Sequence, residues 1–136
     1  MSENNFSYPL FIREQHLDSY GHVNNATYVA LFEEARWEMS TQRDYGYNKV
    51  HATGKGPVIL EISLKFIKEV KLRETVTMKV VEVTQDKKIT RLKQIMYKEN
   101  GEIACELSLV AGFFDLKERK LIMPSPEWLA VLGIEA

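Results

Sequence analysis

The stretch HLDSYGHVNNATY, residues 16–28, sets two histidines, an aspartate, a glycine and two asparagines within ten positions. Asp18 is the residue type that attacks a carbonyl carbon or directs water at one. It stands seven residues before Asn25, where a helix is expected to begin, and Gly21 lets the chain fold back between them. The first N–H groups of a helix are unpaired and lie at the positive end of its dipole. A carboxylate beside them could attack a carbonyl polarised by those amides. A plainer description fits the same residues. Asp18 then makes an Asx-turn, Asn24 and Asn25 cap the helix, and His22 is a hydrogen-bonded structural residue. The two descriptions are compatible, because a cap also fixes the amides that would hold an oxyanion.

The other polar candidates are weaker. Tyr28 reads as the first core residue of the helix. Glu33 and Glu34 are alternative bases near mid-helix, and Glu34 is more simply an exposed partner for Arg36 or for residues near Glu38. His16 and His51 have no second ligand at metal spacing, so no metal is expected. A Ser-centred nucleophile elbow, a phosphate-binding glycine loop and a dinucleotide fingerprint are all missing from the sequence.

The elements that must position this segment follow from periodicity. SYPLFIREQHL (7–17) is rich in strand formers. Past Asn25, Tyr28, Leu31, Phe32, Ala35 and Met39 recur at spacings of three and four, one apolar helical face, with Gly46 as its stop signal. Residues 47–56 read as a loop. In 58–67, Leu60, Ile62, Leu64 and Phe66 alternate with polar residues, as in a half-buried strand. Further strands are expected over 74–85, 88–97 and 102–116, with turns at Asp86–Lys88 and at Asn100-Gly101. On the last strand, Ile103, Cys105, Leu107, Leu109, Ala111 and Phe113 share a face. MPSPEWLAVLG allows only a short terminal helix. With no helices between them, the later strands should be antiparallel, which makes the chain α+β. One helix covers one sheet face only in part, so a partner subunit is expected.

Composition sets the outer bounds. A chain of 136 residues fits one domain, 1–136, and a net charge of -1 argues against a general nucleic-acid binder. Over residues 65–98, ten Lys and Arg stand against four Asp and Glu, a basic middle that could meet an anionic ligand or be a solvated strand face. The single cysteine, Cys105, excludes an internal disulfide and fits a reducing compartment. MSENNFSYPL lacks the basic flank and apolar core of a signal peptide, and no apolar run is long enough to span a membrane. The expectation is a cytoplasmic protein.

REQHLDSYGHVNNATYVALFEEAR, residues 13–36, resembles the opening of hotdog-fold acyl-CoA thioesterases of the 4-hydroxybenzoyl-CoA thioesterase type. That pattern, Asp-x-x-Gly-His-Val-Asn-Asn-x-x-Tyr, is met at Asp18, Gly21, His22, Val23, Asn24, Asn25 and Tyr28. Plant acyl-carrier-protein thioesterases share His-Val-Asn-Asn but carry an extra Asn where this chain has Tyr20, and are about twice as long. The resemblance implies a long helix wrapped by a curved antiparallel sheet of about five strands. It also implies a homodimer or homotetramer, sheets joined edge to edge, with active sites at the subunit interface. On the same resemblance, Asp18 is the catalytic carboxylate, as nucleophile or general base. The Asn25 N–H holds the thioester oxygen, while His22 and Asn24 shape the loop, with a catalytic role for His22 open. Val58, Ile59 and Leu60 neighbour the pantetheine beside Tyr28, and Lys65, Lys68, Lys71 or Arg73 meet CoA phosphates. The implied reaction is hydrolysis of an acyl-CoA to free acid and CoA, without metal or redox cofactor. The rival readings are an acyl-carrier-protein thioesterase, a hotdog hydratase or dehydratase, and a non-catalytic acyl-CoA-binding module.

Overall fold

The computed structural model describes residues 5–135, so the first four residues and the last of the expected domain lie outside the described residues. Strand β1 (Ser7–Phe11) leads through a 3-10 turn (Glu14–His16) to the long helix α1 (Asn25–Gln42). Helix α2 (Tyr47–Thr53) and strands β2 (Lys55–Phe66), β3 (Thr75–Asp86), β4 (Ile89–Lys98) and β5 (Ile103–Asp115) follow. A short β6 (Lys120–Ile122) and helix α3 (Pro126–Val131) end the described chain. All strand pairs are antiparallel, in the order β1-β3-β4-β5-β2, with β6 beside β5. The architecture is the expected hotdog arrangement of one long helix on a curved, unclosed sheet, with a sixth short strand added.

Curvature comes from bulges, which add a residue to one strand and increase its twist. They interrupt the β2–β5 register between Ile59 and Glu61, the β3–β4 register between Val80 and Glu82, and the β4–β5 register between Met96 and Tyr97. The β3 bulge explains why burial passes from Val76, Met78 and Val80 to Val83, skipping the even step. The concave face wraps the predicted apolar stripe of α1, and Tyr28, Leu31, Phe32, Ala35 and Met39 are all buried against it. From β5, Cys105, Leu107, Leu109, Ala111 and Phe113 meet that stripe as expected. Tyr45, Phe113 and Trp128 close one end with ring centroids 5.4–6.0 Å apart.

Three expectations need correcting. Residues 47–56 are not a loop: Gly46 starts α2 rather than stopping α1, and Gly54 ends α2 in the left-handed region at φ 70°. Val50 packs α2 on the core, a tertiary contact that no local period announces. The strand read over 7–17 stops at Phe11, because the next residues turn toward the Asp18 loop. Finally, the apolar face of β2 is not half-buried throughout. Leu60, Ile62 and Phe66 are exposed, and only Leu64 is partly covered. This strand is a free sheet edge twelve residues long, with an open backbone ladder and apolar side chains.

Candidate active site

The Asp18 loop is a small antiparallel fold-back. Leu17 and Val23 form an isolated bridge, Asp18 N–H donates to His22 O at 2.8 Å, and Asn24 N–H donates to His16 O at 2.9 Å. Gly21 closes it at φ 81°, a conformation costly to residues with a Cβ. Oδ1 of Asp18 accepts from the N–H groups of Tyr20 (2.8 Å) and His22 (3.2 Å), the predicted Asx-type turn. No protein donor reaches Oδ2 among the described residues, so one carboxylate oxygen is restrained and the other is available.

Asn24 is the N-cap of α1: its Oδ1 accepts from Ala26 N–H at 2.9 Å. Asn25 is the first helical residue, and its N–H has no acceptor among the described residues. The loop thus presents a half-buried carboxylate and an unpaired helix-start amide together. His16 is held structurally, its Nδ1 accepting from Arg13 N–H at 2.9 Å.

A second segment, residues 67–74, braces the loop, and sequence reasoning missed its role. Val23 N–H donates to Val70 O at 3.1 Å, and His22 bridges to Lys71 through the backbone. His22 Nε2 lies 2.8 Å from Glu69 Oε2, and Glu69 Oε1 lies 3.2 Å from Lys71 Nζ. The Lys71 hydrogen bond, then the charges of His22, Lys71 and Lys98, hold the Glu69 carboxyl below its ordinary value. Nothing local in the sequence pairs His22 with Glu69, 47 residues away, so no signal there could have found it.

The remaining candidates divide. Tyr28 is buried beside Asn25, edge-on to Phe66 at 5.3 Å, and burial pushes its phenol up to about 12. Lys65 is exposed next to Phe66 and has no carboxylate partner among the described residues. Lys68, Lys71 and Arg73 are paired with Glu102, Glu69 and Glu14 respectively, so these three candidate phosphate contacts already have carboxylate partners. Val58, Ile59 and Leu60 stand six to eight residues from Phe66 along β2, about 20–26 Å, far from the Asp18 of their own chain. Glu34 accepts from the Tyr8 hydroxyl rather than pairing with Arg36, and that bond raises Tyr8 to about 12. Arg36 turns inward to Gln94.

One long helix wrapped by a curved, unclosed antiparallel sheet defines the class of hotdog-fold proteins. The chain belongs to the thioesterase-like superfamily, whose family model matches residues 12–132. It is similar to the long-chain acyl-CoA thioesterase FadM of Escherichia coli K12, at 28% identity over 112 residues, 82% of this chain and 84% of that one. Among solved structures, the Escherichia coli protein YbaW superposes with a TM-score of 0.80 at 26% identity, covering 93% of this chain and 96% of that one. A DHNA-CoA thioesterase from Staphylococcus aureus gives a TM-score of 0.81 at 19% identity, covering 93% and 87%, a likeness of fold. Among the described residues, no helix is long and apolar enough to cross a membrane.

Proposed function

We propose that the protein is an acyl-CoA thioesterase acting in the cytoplasm as a single hotdog domain, with Asp18 as its catalytic carboxylate. One observation carries the assignment of roles: a carboxylate with a donor-free oxygen shares its loop with the unpaired Asn25 N–H. The thioester oxygen accepts from that N–H, and the helix dipole favours the oxyanion. Water adds to the carbonyl carbon as Asp18 takes its proton, or Asp18 adds first and water then cleaves the anhydride. In either route a C–O bond forms, the C–S bond breaks, and the sulfur leaves as CoA thiol with the proton. In single turnover in heavy-oxygen water, label in Asp18 establishes the second route, since it arises only when water attacks the Asp18 carbon of the anhydride.

The free β2 edge supports a homodimer. Antiparallel pairing of two β2 strands about Ile62–Ser63 covers Ile62 and Phe66 and removes the open ladder. It also sets Val58, Ile59 and Leu60 of one subunit beside Phe66 and the Asp18 loop of the other, where they line the pantetheine path with Tyr28. Lys65 then meets CoA phosphate, and a homotetramer adds a second such pair. Thiol release from a panel of acyl-CoAs tests the reaction, and Ile62→Asp, followed by light scattering, tests the edge. Absence of thiol release across the panel overturns the reading. The His22–Glu69 pair favours one rival, a hydratase built on a His and an acid. Hydration of an enoyl-CoA without thiol release would establish it.

A further inference from the structure

Beyond the Asp18 loop, the second half of α1 overhangs an open cleft. Its walls come from α1, β2, β4, β5 and α3, and are mainly apolar: Trp37, Ile59, Leu92, Leu109, Trp128 and Leu132. The polar groups lining it are Glu33, Arg36, Ser40 and Thr90. Helix α1 and β2 run in opposite directions, since Phe66 packs on Tyr28 at one end while Ile59 shares the cleft with Trp37 at the other.

Arg36 is the unusual member. Its Nη1 donates to Gln94 Oε1 at 2.9 Å, and Gln94 Nε2 donates in turn to Phe32 O at 3.2 Å. Gln94 is 1% exposed and neutral, so the guanidinium is anchored in the core by a partner that carries no charge. Arg36 forms no ion pair among the described residues, and burial pulls it below its ordinary value while the Glu33 charge partly restores it. A guanidinium has five N–H donors, and this half-buried one, with a single protein acceptor among the described residues, has donors left for an added oxygen in the cleft. Glu33 on the same cleft disfavours an anion there, and accepts from an O–H.

We infer that this cleft receives the acyl group and selects one that carries a hydroxyl away from the thioester, with Arg36 donating to that oxygen. The inference rests on the proposed thioesterase reaction, and the β2 pairing described above brings the cleft of one subunit to the Asp18 loop of its partner. Decanoyl-CoA, its mid-chain and ω-hydroxy analogues, and ω-carboxydecanoyl-CoA are the probes. A hydroxy analogue should exceed decanoyl-CoA in kcat/KM by about tenfold, the size of one charge-assisted hydrogen bond. In Arg36→Gln, which keeps a donor for Gln94, that ratio should fall to about one; Arg36→Lys, which keeps the charge, should retain part of it. Decanoyl-CoA matching every hydroxy analogue, the carboxy analogue surpassing them, or an unchanged ratio in Arg36→Gln would each overturn the inference.

Fluorescence separates this failure from failure of the reaction. Trp37 and Trp128 are the chain's two tryptophans and both line the cleft. If no thioester is cleaved, the reaction is wrong. Tighter fluorescence-detected binding of a hydroxy analogue than of decanoyl-CoA, lost in Arg36→Gln, would then still sustain the cleft assignment, and equal binding would sink it.

Discussion

At the Asp18 end of α1, polar groups are half-exposed and are held by backbone N–H groups two and four residues away. At the Arg36 end, a half-buried guanidinium is tied to the buried Gln94, in hydrogen bonds that span 58 and 62 residues. The first arrangement is a turn, whose geometry follows from residue order. The second is a product of packing, and exists only once α1 lies on β4. Chemistry that develops charge is best served by the first, where one carboxylate oxygen is restrained and the other is open. Discrimination between neutral groups is served by the second, where a donor on a mainly apolar wall favours a matching oxygen.

The sharpest way to break this contrast is Asp18→Asn. Turnover should fall on the order of 10²–10⁴-fold while the melting temperature stays near that of the parent. Near-parental thiol release would move the base elsewhere, with Glu33 first in line because Glu34 is occupied by Tyr8. At the opposite end, Gln94→Leu strips Arg36 of its acceptor and should cost about 1–3 kcal/mol in a urea titration. An unchanged midpoint would mean that Arg36 finds another acceptor. Gly21→Ala forces a Cβ into φ 81° and should cost about 1 kcal/mol, with a larger loss of rate because Asp18 is displaced.

The smallest effect belongs to Glu69→Gln, since both Glu69 and His22 are substantially exposed. The Glu69 carboxyl is held low by Lys71 first, so its contribution is present above the unfolded value and is lost as pH falls. Parent and variant melting temperatures should therefore differ slightly near pH 6 and converge between roughly pH 5 and pH 3. A gap that persists at low pH would place the effect outside this titration.

The same contrast explains what was legible in the sequence. The α1 stripe, the β3, β4 and β5 strands and the Asn100-Gly101 turn all rest on period or on local conformational preference. In that turn Gly101 alone takes positive φ, at 89°. The Asp18–Asn24 turn and cap were readable for the same reason. What failed depended on distant contacts: α2 held by Val50, the Tyr8–Glu34 bond, the inward turn of Arg36 and the Glu69 brace. Leu60, Ile62 and Phe66 were misread differently. Their alternation correctly marks an apolar face, but alternation says nothing about which molecule covers it.

Cys105, fully buried on β5, is the chain's one thiol, and burial pushes it up to about 12. A protonated, enclosed thiol does not attack disulfide reagents. A chromogenic disulfide added to the folded enzyme therefore counts released CoA with no background from the protein. Without substrate, the same reagent becomes a clock, because colour then appears only as fast as β5 comes away from α1. One cuvette thus reports turnover in its rapid phase and the opening rate of the core in its slow one.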